Sequence, residues 1–201
     1  MSKKDKKNKQ KLLWISDFNY SGYTLVSNIL IPFLQKKYDI YILVINSPKY
    51  SKTDMKDIMN FKINNDKIYK ITLPEKTYNT EYFMNYTMGI FEIPKILKQH
   101  QFKYIFSIND YQILAKHLKI IKKCNFKGKT IVYMPIDAEN YKKNFLDDLN
   151  MANYILTMTE NSKNIIQDTG VTKKIYVLEH AVNNIFEPLQ NKQGLRQRFF
   201  G

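Results

Sequence analysis

The residues able to do chemistry in this chain stand at the ends of short apolar runs, in four groups. The first is SDFNYSGYT, residues 16–24, where Ser21, Gly22 and Tyr23 follow the run KLLWISDF. Ser21 and Gly22 suit a tight turn, and a helix beginning there would offer unpaired backbone N–H groups to an anion or a sugar hydroxyl. An ordinary turn with a helix cap explains them as well, and one glycine does not make the GxGxxG dinucleotide fingerprint. The second group is SINDYQ, residues 107–112, where Asn109 and Asp110 end a run and open a helix. Helix capping accounts for both, with ligand contact as the alternative.

The third group is YMPIDAEN, residues 133–140. Pro135 has no N–H for a ladder, so the strand must end there and Asp137 falls just beyond it. Its carboxylate could accept hydrogen bonds from sugar hydroxyls or orient a histidine, or simply cap a loop. The fourth is VLEHAVNNIF, residues 177–186, with Glu179 and His180 at the end of the last apolar run. A histidine there could donate to a phosphate or hydroxyl and change charge near neutrality, or be an ordinary satisfied polar group. His100 and His117 fall in helical segments and read as structural. No His, Cys, Asp or Glu spacing suggests a metal site.

The elements that must position these groups are seven: residues 11–18, 40–46, 67–73, 103–109, 130–137, 154–160 and 174–181. Several are continuously apolar, as strands buried on both faces are. Between the first two, Val26, Ile29, Leu30 and Phe33 share a helical face, with Pro32 expected to kink the helix near its middle. Leu114, His117, Leu118 and Ile121 form a second stripe. NSKNIIQDTG predicts a helix capped by Asn or Ser, presenting Ile165 and Ile166 and ending at Gly170. The polar, tyrosine-rich residues 47–66 and 74–88 suggest a weak helix and a long loop. The economical fold is α/β: a Rossmann-like, doubly wound, mostly parallel seven-stranded sheet with helices on both faces. Ligands should collect beyond the carboxyl ends of its strands, where all four groups lie.

The 201 residues suffice for one core, and a single cysteine, Cys124, excludes an internal disulfide and fits a reducing compartment. Six lysines and Asp5 in the first eleven residues make residues 1–10 a basic flexible tail. The formal charge is +14, yet 30 of the 32 basic residues are lysines, so no specific nucleic-acid reading is implied. Neither a signal peptide nor a transmembrane segment can be built from the N-terminal sequence. A cytoplasmic location is expected, and the Lys, Asn and Ile bias fits an AT-rich genome such as that of a giant virus, whose host cytoplasm or virion would then apply.

Taken in order, the S-G-Y loop, YMPID, LNMANYILTMTENSKNIIQDTG and KIYVLEHAVNNIFEPL resemble the N-terminal half of a GT-B glycosyltransferase of the retaining group-1 type, glycosyltransferase family 4. Gly22 matches that family's loop glycine, Asn153 to Gly170 its strand–helix segment, and His180, Ala181, Val182, Asn183, Phe186 and Pro188 its "HGVD…F.P" element. YMPID corresponds to the form YFPVDG. The sequence departs at Ala181, Asn183 and Asn153, which points to a divergent acceptor or to relaxed catalytic demands.

The resemblance implies that residues 11–188 are an acceptor-side Rossmann-like domain and 189–201 a linker toward a missing C-terminal domain that would bind a nucleotide-sugar donor. No cofactor would be bound by this domain itself, and it would be inactive alone. The partner would be a sugar, glycan or glycoconjugate acceptor. Gly22 and its neighbours Ser21 and Tyr23 would approach the donor phosphates, Asp137 would stand near the reacting carbon, and His180 beside the hinge. Asp137 and His180 are then the catalytic candidates; Ser21, Gly22, Tyr23, Asn109, Asp110 and Glu179 the substrate-binding ones. Two other functions compete: a non-enzymatic anion- or glycan-binding module, and another Rossmann-like enzyme acting on a small phosphorylated ligand.

Overall fold

A computed structural model describes residues 9–19, 21–45, 58–71 and 80–179. Seven strands form one sheet: β1 (Gln10–Asp17), β2 (Tyr38–Ile45), β3 (Ile68–Lys70), β4 (Tyr104–Ile108), β5 (Lys129–Tyr133), β6 (Tyr154–Thr157) and β7 (Ile175–Val177). Every pairing is parallel, in the order β3-β2-β1-β4-β5-β6-β7. The seven apolar runs are thus all strands, and the sheet is parallel throughout. Its order reverses between β1 and β4, because the chain winds outward from β1 in one direction and from β4 in the other.

Among the described residues, the helices between the strands are α1 (Gly22–Leu34), α2 (Thr80–Thr87), α3 (Glu92–Gln99), α4 (Tyr111–Lys123) and α5 (Glu160–Asp168). Leu12, Trp14, Ile42 and Phe106 pack with Val26 and Ile31 of α1 on one face of the sheet. Leu13, Ile15, Leu43 and Ile105 face the other way, onto Ile93 and Ile96 of α3 and Ile113 and Ile121 of α4. The alternation along β1 shows how one apolar run serves two layers. Trp14 is fully buried, stacks on Phe106 at 4.2 Å between ring centroids, and donates its indole N–H to Ser27 Oγ at 3.0 Å.

That last bond explains why α1 is turned differently from its apolar stripe. Its buried residues are Thr24, Val26, Ser27 and Ile31, whereas Ile29 and Leu30 are half-buried and Phe33 is 63% exposed. Small hydroxyl side chains face the sheet because they satisfy the indole and the strand end. Pro32 stands third from the end of the helix, not near its middle, so it falls in the last turn. Helix α5 begins earlier than expected: Thr159 is the cap and accepts from Ser162 N at 3.0 Å. Ile166 is buried while Ile165 is half-buried, and Gly170 follows the helix with φ +97°, a left-handed conformation that favours glycine.

Asn153, where the resembling family carries Asp, stands just before β6, at the opposite end of the strands from the predicted site. Its Oδ1 accepts from Thr130 N at 2.8 Å and Thr130 Oγ1 at 3.2 Å. Only an acceptor is used, and Asn153 is exposed, so a carboxylate would serve as well and nothing in the structure explains the substitution.

His117 is fully buried in α4. Its Nε2 donates to Met88 O at 2.7 Å and its Nδ1 accepts from Ser107 Oγ at 2.8 Å, which fixes a neutral tautomer. Burial pushes its pKa down from 6.5 to about 4. The unfolded chain therefore takes up a proton on this residue before the folded one does, so the stability it confers is complete above about pH 6.5 and is lost as pH falls toward 4. Denaturant unfolding should show stability roughly 2 kcal/mol lower at pH 5 than at pH 7. His117→Gln should flatten most of that difference, and a slope unchanged by the substitution would assign it elsewhere.

Candidate functional site

The site is built where β1 and β4 end. Asp17 closes β1 and is 6% exposed. Ser21, extended at φ −119°, caps α1: its Oγ accepts from Thr24 N at 3.3 Å and donates to Asp17 Oδ1 at 3.0 Å. Thr24 Oγ1 accepts from Asn19 N at 3.1 Å and lies 3.3 Å from Asp17 O, to which it donates. Ser27 Oγ adds a bond to Tyr23 O at 2.8 Å. The turn is thus held by short hydroxyl side chains spaced three residues apart on the first turns of the helix.

Tyr23 then reaches across the point of strand reversal, its hydroxyl donating to Asp110 Oδ1. Asp110 occupies the cap position of α4 but makes no side-chain capping bond, so its carboxylate is turned to Tyr23. Asn109 Oδ1 accepts from Asp110 N at 2.9 Å. Capping by side chain therefore accounts for neither residue, contrary to the simplest sequence expectation. The reason is geometric: the tyrosine from the facing loop offers Asp110 a stronger donor than the helix N–H groups do.

Burial pushes the Tyr23 phenol well above its usual range, reinforced by its bond to Asp110 and by the charges of Asp110, Asp137 and Asp17. Tyr23 is therefore a fixed hydrogen-bond donor. Burial also raises the Asp17 carboxyl, against the lowering effect of bonds from Ser21 and Asn19, while the Asp110 charge adds to the rise. For an acid shifted in this direction, stability is lost as pH rises through the folded-state pKa, so Asp17 opposes the contribution of His117.

On the α1 side of this loop lies a cavity of about 250 Å³, with Gly22, Leu25, Val26, Tyr133, Leu178 and Glu179 in its wall. A Cβ at Gly22 would meet no atom within 4 Å, so the glycine leaves open space at the cavity mouth. Tyr133 is buried and donates its hydroxyl to Leu178 O at 2.9 Å, joining β5 to the end of β7. Asp137 and Glu179 are both exposed, and Glu179 is in the cavity wall.

Of the residues chosen from sequence, Ser21, Gly22, Tyr23, Asn109 and Asp110 surround the ends of β1 and β4. Asp137 lies within electrostatic reach of Tyr23, and Glu179 shares the cavity with Gly22. His180, Ala181, Asn183 and the segment 189–201 lie outside the described residues, as do residues 1–8. Asp17 and Tyr133 were not singled out, although a carboxylate terminating the apolar run LLWIS was a visible signal for the first. Among the described residues no group of three or more His, Cys, Asp or Glu side chains is placed to hold a metal ion, and no helix is long and apolar enough to cross a membrane.

The rim is acidic on a basic chain. Asp110, Asp137 and Asp17 all act on Tyr23 by their charge, and among the described residues of the cavity wall Glu179 is charged and none is Lys or Arg. Such a surface suits hydroxyl donors and is unfavourable for a phosphate unless cations come from a facing surface.

No family model matches the sequence, and no curated protein sequence matches it. Solved structures do share its fold. The apo form of the lipopolysaccharide outer core galactosyltransferase WaaB superposes with a TM-score of 0.61 at 15% identity, covering 86% of this chain and 46% of that one. UGT71G1 of Medicago truncatula, solved with UDP-glucose, gives 0.59 at 10% identity over 97% and 57% of the two chains. The UDP-GlcNAc 2-epimerase of Methanocaldococcus jannaschii gives 0.58 at 17% identity over 83% and 45%. The chain therefore has the Rossmann-like α/β fold found in GT-B proteins, and it spans about half the length of these structures.

Ser21 links the cap to the buried carboxylate, which makes it testable. Ser21→Ala should cost about 1 kcal/mol of stability and move the Asp17 titration further upward, as followed by carboxyl carbon NMR. An unmoved Asp17 titration would show that the Ser21 bond does not hold the carboxylate.

Proposed function

We propose that this chain is the acceptor-binding half of a sugar-transferring enzyme of GT-B architecture, of the retaining, family 4 type that its motif order resembles. The observation that carries this reading is the Tyr23–Asp110 contact at the strand-order reversal, set among carboxylates beside a preformed cavity. Parallel α/β sheets bind ligands at that crevice, and carboxylates with a fixed phenolic donor recognise hydroxyl-rich molecules. The fold shared with two glycosyltransferases and a nucleotide-sugar epimerase supports the same assignment.

In this reading a second domain supplies the nucleotide-sugar donor and the cations its diphosphate needs, with residues 189–201 as the linker. Asp137, which is exposed, and His180 are the groups offered to the reacting hydroxyl. Closure over the crevice would exclude water and fix that hydroxyl against the donor carbon. The carboxylates gathered around Tyr23 weigh against both an anion-binding module and a small phosphorylated ligand held by this chain alone.

The test is an amide NMR titration of the 201-residue chain with a panel of neutral oligosaccharides. Binding should shift Gly22–Thr24, Asn109, Asp110, Asp137 and Glu179 together, and Tyr23→Phe should weaken it about fivefold through one lost hydrogen bond. A folded chain in which no carbohydrate shifts these amides overturns the proposal.

A further inference from the structure

We propose that Asp17 and Asn109 form an acceptor–donor pair for two neighbouring hydroxyls of an uncharged sugar ring. This deepens the functional reading above and rests on it. The pairing follows from strand register. Ile15 lies opposite Ser107 in the β1–β4 ladder, so Asp17 and Asn109 each stand two residues further on. Residues two apart in extended chain share a sheet face, so Asp17 and Asn109 stand on one face, one step past the last β1–β4 pair, on the two strands that flank the strand-order reversal. Asn109 N donates to Tyr133 O at 3.3 Å, so the chain is still paired with β5 at this residue.

Asn109 is 2% exposed, and its Nδ2 is the one buried side-chain polar atom without a hydrogen-bond partner among the described residues. An inverted amide does not remove the problem: Oδ1 accepts from Asp110 N at 2.9 Å, and exchanging the two atoms would set a donor against a donor. A buried donor left unpaired is destabilising, and native chains pair nearly all of theirs. Here the missing partner is an acceptor. On the neighbouring strand stands a carboxylate, which offers several acceptor sites, of which Ser21 Oγ at 3.0 Å and Asn19 use part. A hydroxyl complements both neighbours at once, since it accepts from an amide and donates to a carboxylate. A phosphate dianion gives the carboxylate no hydrogen and adds like charge.

The probes are methyl α-glucopyranoside, methyl α-galactopyranoside and methyl α-mannopyranoside, with glucose 1-phosphate as the charged counterpart, titrated by NMR into the 201-residue chain and its Asn109→Leu and Asp17→Asn variants. At least one glycoside should bind, more tightly than the phosphate. Asn109→Leu should weaken that binding about tenfold while its thermal midpoint changes little, because the substitution removes an unpaired donor together with the acceptor of Asp110 N. Asp17→Asn should weaken the glycoside and narrow the gap to the phosphate. Glycoside binding unchanged in Asn109→Leu, or a lowered midpoint with unchanged binding, would make the amide purely structural and overturn this inference alone. Absence of glycoside binding in the parent chain would overturn it together with the functional reading.

Discussion

Strand β1 is hydrogen-bonded in parallel on both edges, to β2 and to β4, and the rest of the molecule follows from that. A parallel neighbour cannot be reached by a tight hairpin, so each connection must cross a face of the sheet. With β1 paired on both sides, the chain leaves it toward β2 and returns to its other edge at β4. The loops after β1 and β4 therefore diverge, and the gap between them is a property of connectivity, present before any side chain is chosen. The side chains then decide what the gap is for.

Filling that gap brings polar groups close to the core. Trp14, Ser27, Ser16 and Thr24 are all buried beneath the β1–α1 loop. The indole bonds Ser27, and Ser27 reaches Ser16 Oγ at 3.3 Å. These are neutral groups satisfied by one another, so their burial costs little. Asp17 and Asn109 differ from them. One is a carboxylate whose charged form burial disfavours, and the other keeps an unpaired donor. Both disfavoured arrangements occur at the ends of the two central strands. Strain concentrated there, with a well-satisfied core around it, is the pattern expected of a place that meets a ligand.

The seven strands could be read from sequence because each is a short apolar run long enough to cross a sheet covered on both faces. The stripe of α4 was equally legible, since Leu114, Leu118 and Ile121 are all buried. The orientation of α1 was not, because its inward face is decided by a tryptophan N–H and a strand end that want hydroxyls. Hydropathy favours Phe33 over Ser27, and the hydrogen bond reverses the choice. At the site, Ser21, Gly22, Tyr23, Asn109 and Asp110 could be located because strand ends collect polar residues. Their partners could not, since Tyr23 and Asp110 are far apart in sequence and Asp110 had an adequate local explanation. Asp17 could be seen ending an apolar run, but a charged residue ending a strand is ordinarily exposed, and only the folded loop shows that this one is covered.

The Tyr133–Leu178 bond ties together two features that are otherwise separate. Its phenol helps to wall the cavity, and its acceptor is the backbone carbonyl just past β7, a strand of three residues held at the sheet edge. A guest that displaced this ring would loosen the last rung of the sheet. Walling the hollow and anchoring the end of β7 thus fall to the same side chain.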